Sequence, residues 1–403
     1  MHVHELCGAW MAHPFWRTNF SLTDPEDVVR IADSGIREVW IDISRGLDVE
    51  QPQAVAMSPR EVDAEVDRAL GAALDDAATA ACPPARAEFA SEVERAARIC
   101  ARAKAAVVSM FQEVRMGKAF GADQVLPLVQ EISDSVNRNP AALISLARLK
   151  GIDDYTYMHS VAVCALMISL SRQLGLDEES THQAGLAGLL HDLGKALIPT
   201  EILNKPAKLT DAEFARVKQH PELGHRLLVE GGGAGPLPLD VCLHHHEKID
   251  GTGYPHGLKA DEISLYAKMG AVCDVYDAVT SNRLYKGGWQ PAEAIRKMAE
   301  WSSHHFDERI FHAFVKSVGI YPVGSLVRME SGRLALVVEQ NDGALLMPKV
   351  KAFFSIATGL RIAPVLIDLA RNPGRDRILQ REDPELWGLT HLDDMLPGHV
   401  PYR

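Results

Sequence analysis

Aromatic residues are scarce in this chain and basic residues are outnumbered. Phe, Trp and Tyr make up 6% of 403 positions, and 42 Lys and Arg face 54 Asp and Glu, a net charge of -12. A chain this acidic does not attract a nucleic-acid polymer or an anionic lipid surface as a whole. An anionic substrate would need cations gathered locally. There is also no apolar run of about 18 residues, the length a bilayer-spanning helix requires. The longest candidate, Val161 to Leu170, is interrupted by Ser169 and followed by Ser171-Arg172-Gln173, so no membrane span is expected. The start, Met1-His2-Val3-His4-Glu5, has neither a basic nor an apolar signal region. The six cysteines, Cys7, Cys82, Cys100, Cys164, Cys242 and Cys273, form no C-x-x-C pair. Cys164 and Cys273 lie inside apolar stretches. This argues against a disulfide framework and for reduced, mostly buried thiols in a cytoplasmic protein.

The length leaves room for about two or three domains and at least one large core. Residues 1–50 read as a small mixed α/β unit. Thr23-Asp24-Pro25-Glu26-Asp27 is a helix start, with a capping acid, proline in the first turn and acids at the positive helix end. Glu38-Val39-Trp40-Ile41-Asp42-Ile43 alternates and is β-rich, which predicts a strand. Residues 51–86 run from Gln51-Pro52-Gln53 to Cys82-Pro83-Pro84 around an Ala-rich acidic middle and read as a linker.

Residues 87–138 carry Phe89, Val93, Ala96, Ala97 and Cys100 at helical spacing, which predicts a helical connector of two helices. Long helices of this kind often pair between copies, so a homodimer through 87–138 is expected, though without a strict heptad. Residues 139–321 are a run of helices. Tyr155 to Leu174 is apolar nearly all round and therefore buried, and Thr210 with Glu213 forms a capping-box pattern. Residues 322–403 turn β-rich, with a hairpin predicted around Ser331-Gly332-Arg333. The fold class is mainly α: an all-helical bundle, a small mixed α/β N-terminal domain and a small β-rich C-terminal extension.

The chain is organised around Gly188-Leu189-Leu190-His191-Asp192-Leu193-Gly194-Lys195. Imidazole and carboxylate suit divalent first-row metals, and the two oxygens of one aspartate can bridge two ions. Around this run lie His159 in the buried helix, His220 before Pro221-Glu222, and His245 and His246 before Glu247. Asp274 and Asp277, three apart, share a helix face. Two ions bridged by Asp192 would consume such a set. The chemistry that needs two ions is attack of hydroxide on phosphorus, because together they activate water and stabilise incoming and leaving oxygens. Lys195 is placed to meet a phosphodiester oxygen, and Arg283 and Lys286 could add two more cations. Gly251-Thr252-Gly253-Tyr254-Pro255 suits a shaped pocket wall: Gly251 and Gly253 permit unusual backbone angles, Pro255 stiffens the exit, and Tyr254 offers a ring and a hydroxyl.

From about Asp154 to Ile320 the chain closely resembles the HD-GYP phosphodiesterases, a subgroup of the HD metal-dependent phosphohydrolase superfamily. The resemblance is carried by Tyr157-Met158-His159-Ser160, His191-Asp192-Leu193-Gly194-Lys195 with Ile198-Pro199, Lys205-Pro206 and His220-Pro221-Glu222. It continues through His245-His246-Glu247 to Tyr254-Pro255, and Asp274-Val275-Tyr276-Asp277-Ala278. Residues 1–50 also look like a domain of unknown function that often precedes HD-GYP domains in bacteria.

The resemblance implies an HD-type bundle that hydrolyses cyclic di-GMP to linear pGpG or on to GMP. It implies that His159, His191, Asp192 and Asp274 hold one ion, and that Asp192, His220, His245 and His246 hold the other. It implies iron or manganese as the metal, phosphate contacts from Lys195, Arg283 and Lys286, substrate contact from Tyr254, and Asp277 as support for the attacking water. A diguanylate cyclase-type protein docking on the Gly-Tyr-Pro loop is a further expected partner. Tyr155 stands where some members carry a third-ion glutamate, which favours a dinuclear site. Two rival readings are a catalytically weak, nucleotide-responsive binding module and a hydrolase of a mixed cyclic dinucleotide. The complete ligand set argues against the first, the Gly-Tyr-Pro loop against the second.

Overall fold

The computed structural model describes residues 2–7, 20–22, 27–29, 31, 38–41, 89–148, 155–205, 207–281, 288–302, 304–341, 344–371, 374–390 and 392–396. The expected linker 51–86, the helix start at residues 23–26, and Arg283 and Lys286 lie outside the described residues. Near the N-terminus, β1 (His2–Cys7) runs antiparallel between β2 (Phe20–Ser21) and β3 (Glu38–Ile41). β3 falls inside the predicted strand, and Val3 is buried against Ile31, Leu22 and Val39.

The helical body begins with α1 (Phe89–Arg115), α2 (Leu126–Arg138) and α3 (Pro140–Arg148). α1 buries Phe89, Val93, Ala96, Ile99, Cys100, Ala103 and Val107, a stripe at helical spacing, whereas Ala97 is exposed. Glu92 lies on the buried face too. Its carboxylate accepts a bidentate pair from Arg138 (2.7 and 2.9 Å) and a bond from Ser135 Oγ (2.8 Å), which ties α1 to α2. The stripe is covered within the chain. Ile99, Val107 and Phe111 share one core with Val161, Ala165, Leu186 and Leu189 of the next two helices. The apolar surface that suggested pairing between copies is spent inside the chain, so 87–138 is part of the bundle and more than a connector.

α4 (Tyr155–Gln173) is buried along its length from Met158 to Ser171, as its unbroken apolar character requires. Gly175, at φ +72°, ends the run. α5 (Glu178–Leu190) starts at Asp177, whose side chain accepts from Ser180 N at 2.7 Å, and packs along α4. After the single turn α6 (Thr200–Leu203) comes α7 (Asp211–Val217), opened by the predicted capping box of Thr210 and Glu213. α8 (His220–Gly231), α9 (Pro236–His244), α10 (Leu265–Thr280) and α11 (Pro291–Trp301) follow. The sequence reading assigned no separate element to α12 (Glu308–Val318). Its signal was present: Asp307 caps the helix, and Ile310, Phe311, Phe314, Val315 and Val318 form one buried face.

Five antiparallel strands complete the chain: β4 (Leu326–Met329), β5 (Arg333–Glu339), β6 (Lys349–Ser355), β7 (Leu360–Asp368) and β8 (Ile378–Arg381), in the order β7-β6-β5-β4-β8. β4 and β5 form the predicted hairpin, with Leu326 opposite Leu336 and Gly332 at φ +73°. The sheet is more than an appendage. Val327, Met329, Ala335, Val337, Val350 and Ala352 share a core with Ile310, Phe311 and Phe314 of α12. Burying each of those phenylalanines contributes roughly 1.5–3 kcal/mol, so the sheet braces the bundle from the side of α12.

Candidate metal centre

The site assembles where α5 stops. His191 is the C-cap of α5, and Asp192 leaves the helix at φ -100°, ψ 9°, followed by the tight turn Leu193–Leu197. This turn lies against the start of α8, and only glycine fits at the contact. A Cβ on Gly194 would sit 1.9 Å from the His220 carbonyl oxygen and 2.5 Å from Gly224 N. That close approach sets His220 beside Asp192. α9 delivers His245 and His246 at its end, while His159 comes from α4 and Asp274 and Asp277 from α10.

All seven residues expected to bind metal converge. Donor atoms of Asp192, His220, His245 and His246 lie within 4.8 Å of one another, as do those of His159, His191 and Asp192. Asp192 belongs to both groups. Its Oδ1 faces His220 Nε2 (3.2 Å) and His245 Nε2 (3.8 Å), and its Oδ2 faces His191 Nε2 (3.3 Å) and His159 Nε2 (3.6 Å). Asp274 spans the same gap from α10, with Oδ1 2.9 Å from His159 Nε2 and Oδ2 3.7 Å from His246 Nδ1.

The outer nitrogens fix which atom faces inward. His191 Nδ1 donates to the Gly188 carbonyl (2.8 Å), His220 Nδ1 to Val217 (2.7 Å) and His245 Nδ1 to Val241 (3.0 Å). His159 Nδ1 donates to Asp277 Oδ2 at 2.6 Å. These oxygens can only accept, so in neutral His191, His220 and His245 rings the single proton sits on Nδ1 and Nε2 offers a lone pair, while the His159 ring lies between two carboxylates, with Asp274 Oδ1 2.9 Å from its Nε2. Two such lone pairs, of His220 and His245, then face each other at 3.3 Å. His191 Nε2 and Asp192 Oδ1 are shut off from solvent without a hydrogen-bond partner. Electron pairs turned on one another in a dry interior demand a cation between them. The residues present therefore fit divalent ions.

Charge tells the same story. Burial would lift the Asp192 carboxyl, but the Lys195 ammonium and the His191 ring outweigh it and hold the group well below the usual carboxylate range. Burial opposes ionisation of Asp274 too, yet His159 and His246 keep it well below that range. Burial, then the neighbouring His191 and His220 rings, push His245 down to about 3, and burial takes His220 and His246 down as well. Those rings are neutral at pH 7, as ligands must be. For His191 burial pulls the other way, and Asp192 overcomes it to raise the ring above its ordinary value. No thiolate joins the described clusters. Burial raises Cys242 and Cys273, and the Cys242 thiol donates to the His191 carbonyl at 3.4 Å.

Lys195 reaches Asp192 Oδ2 at 2.5 Å and stays partly open to solvent. The resemblance implies Asp277 as support for the attacking water. The Asp277 carboxylate sits behind His159, accepting from Nδ1 on the side away from Asp192 and Asp274, with Ser281 Oγ on its other oxygen at 3.3 Å. A carboxylate in that position orients the ring and strengthens its lone pair. Spacing alone put it on the Asp274 face, and the contact with the back of the His159 ring is visible only in the fold.

Tyr254 stacks on His246, ring centroids 4.6 Å apart and 27° from parallel, and so covers the ligand. The loop that carries it is folded back hard. Gly251 has φ +81°, but the need for Gly253 is space: a Cβ there would lie 2.5 Å from Glu247 Cα. Sequence reasoning missed Glu247 as the anchor. Its buried carboxylate accepts from His256 N (2.7 Å) and Leu258 N (3.0 Å) and pins the loop.

With this geometry in hand, comparison with known proteins places the chain. The HD domain family matches residues 131–310, and a domain of unknown function (DUF3391) matches residues 1–125, well past residue 50. A cyclic di-GMP phosphodiesterase of Pseudomonas aeruginosa is 53% identical over 399 residues, 99% of this chain and 93% of that protein. The cyclic di-GMP phosphodiesterase response regulator RpfG of Xanthomonas campestris is 39% identical over 151 residues, 36% of this chain and 39% of that protein. A 3'3'-cGAMP-specific phosphodiesterase of Vibrio cholerae is 34% identical over 164 residues, 40% of this chain and 38% of its own length. Likeness of this extent to the Pseudomonas protein, with HD motifs folded around one buried carboxylate, makes this chain a member of the HD-GYP family of HD-domain phosphohydrolases, with a DUF3391 domain over residues 1–125.

Proposed function

We propose that this chain is a metal-dependent phosphodiesterase that hydrolyses cyclic di-GMP to pGpG, GMP or both. One observation carries the reading: a single buried aspartate presents one oxygen to each of two sets of inward-facing ring nitrogens. In this reading His159, His191 and Asp274 hold one ion, His220, His245 and His246 hold the second, and Asp192 is shared. Divalent ions held there supply a nucleophile from water near neutral pH and offset charge on the phosphoryl oxygens. The chain's own groups do the rest. Lys195 steadies Asp192 and offers its remaining N–H donors to a non-bridging phosphate oxygen. Asp277 holds His159 in its ligating tautomer. Tyr254, stacked on His246, walls the pocket and shields the ligands from bulk water.

The nitrogen and oxygen donor set suits iron or manganese. The full-length likeness to a cyclic di-GMP phosphodiesterase favours that substrate over the mixed dinucleotide of the Vibrio relative, which matches only part of the chain. Reduced, buried cysteines at 100, 164, 242 and 273 support a cytoplasmic setting. The test is anaerobic purification with ferrous or manganous salt, then a product-resolved assay with cyclic di-GMP and 3'3'-cGAMP side by side. We expect cyclic di-GMP to be cut faster, and a chelator to stop it. Absence of turnover with every divalent ion tried would overturn the reading.

A further inference from the structure

His244 opens the run His244-His245-His246 yet belongs to neither ligand group. Both of its nitrogens are engaged elsewhere. Nδ1 lies 2.8 Å from Asp240 Oδ1, one turn back on α9, and Nε2 lies 3.2 Å from His256 Nδ1. Burial would lift the Asp240 carboxyl, but bonds from His244 and Ser264 hold it below its ordinary value. A carboxylate can only accept, so a neutral His244 carries its proton on Nδ1 and offers the Nε2 lone pair to the N–H at His256 Nδ1. The chain of bonds therefore has a direction: His256 donates to His244, and His244 donates to Asp240. The other oxygen of Asp240 accepts from Ser264 Oγ, which in turn accepts from Ala267 N at 3.0 Å and caps α10.

The outer end of this chain of bonds lies in the loop that covers the centre. His256 stands two residues after Tyr254, and its backbone N–H is held by the Glu247 carboxylate at 2.7 Å. Tyr254 stacks on the ligand His246, ring centroids 4.6 Å apart. Between them is Pro255, whose ring fixes φ, so few soft torsions separate the His256 anchor from the Tyr254 ring. We propose that Asp240, His244 and His256 are positioning residues that latch the Tyr254 loop over His246, and that the latch slows exchange of the ion held by His220, His245 and His246. This inference rests on the metal centre proposed above and names what keeps its aromatic wall in place. Asp240 serves a second part of the centre as well, because α10, whose cap it engages, carries Asp274.

The experiment loads the full chain with manganese, adds an excess of a fluorescent chelator and follows the rate at which bound metal is captured. His256→Ala and Asp240→Ala should each speed capture of the faster-released ion about tenfold, the loss of one hydrogen bond from the closed loop. His256→Asn keeps an N–H donor near the place of Nδ1 and should stay close to the wild-type rate. With Tyr254→Ala capture should already be fast, and adding His256→Ala should change it by less than about twofold, because the latch then has nothing to hold. Wild-type rates in His256→Ala overturn the latch. So does an equal acceleration with and without Tyr254, which would mark a general loosening instead. Asp240→Ala also disturbs the cap of α10; if it fails to fold, His256→Ala, at an exposed position, decides alone. A wild type that takes up neither manganese nor ferrous ion sinks the metal centre and the latch with it, whereas ions captured at one rate from every variant sink the latch alone.

Discussion

The two halves of the centre are built differently around the same aspartate. On one side His159 and His191 work with Asp274, and His159 is backed by a second carboxylate, Asp277. On the other side, carbonyls back the rings, Val217 behind His220 and Val241 and Cys242 behind His245, and both rings lie below the ordinary histidine range. A carboxylate behind a ring makes it a stronger donor than a carbonyl does. The first half should therefore hold its ion more tightly, and the second should exchange first. The shared Asp192 ties the two affinities together.

Removing the shared group should erase the comparison. Asp192→Ala is expected to lose both ions and all detectable turnover, measured by elemental analysis beside the assay, and a variant that kept two ions would refute the bridging role. Lys195→Ala should leave both halves loaded while kcat falls about a hundredfold, the usual loss of one charge-stabilising group. Asp277→Asn should separate the halves. Affinity on the His159 side should fall about tenfold to a hundredfold while the His220 side holds, giving two distinct steps in a metal titration; equal weakening of both steps would show that the halves are equivalent. The smallest effect concerns the support of the second half. Thr210→Ala removes the cap of α7, which leads into His220, and should cost about 1 kcal/mol in a denaturant melt with both ions retained.

Much of this was legible in the chain. His159, His191, Asp192, His220, His245, His246 and Asp274 could be singled out because nitrogen and oxygen ligands at helix ends have few other uses in such number. The apolar run of α4 announced a buried helix, and Thr210 with Glu213 announced the start of α7. The division of these ligands into two sets came from the family resemblance and not from spacing. Asp274 and Asp277 occupy one helix face three residues apart, and only the placement of His159 between them gives one the centre and the other the back of the ring. The stripe on α1 shows the same limit: its spacing predicted a buried face but not that α2, α3 and α4 of the same chain cover it. Apolar periodicity records that a face is covered and is silent about what covers it.

Residue chemistry is local, so composition and spacing by themselves determined the metal-binding character, the mainly helical body and the β-rich end of this protein. Direction is not local. Which ring nitrogen points inward, which aspartate backs the His159 ring, and the pressing of Gly194 against the start of α8 depend on helices that meet only after the chain has folded. The tertiary structure decided them because a lone pair or a carboxylate oxygen acquires its role from what stands opposite, and that neighbour lies dozens of residues away.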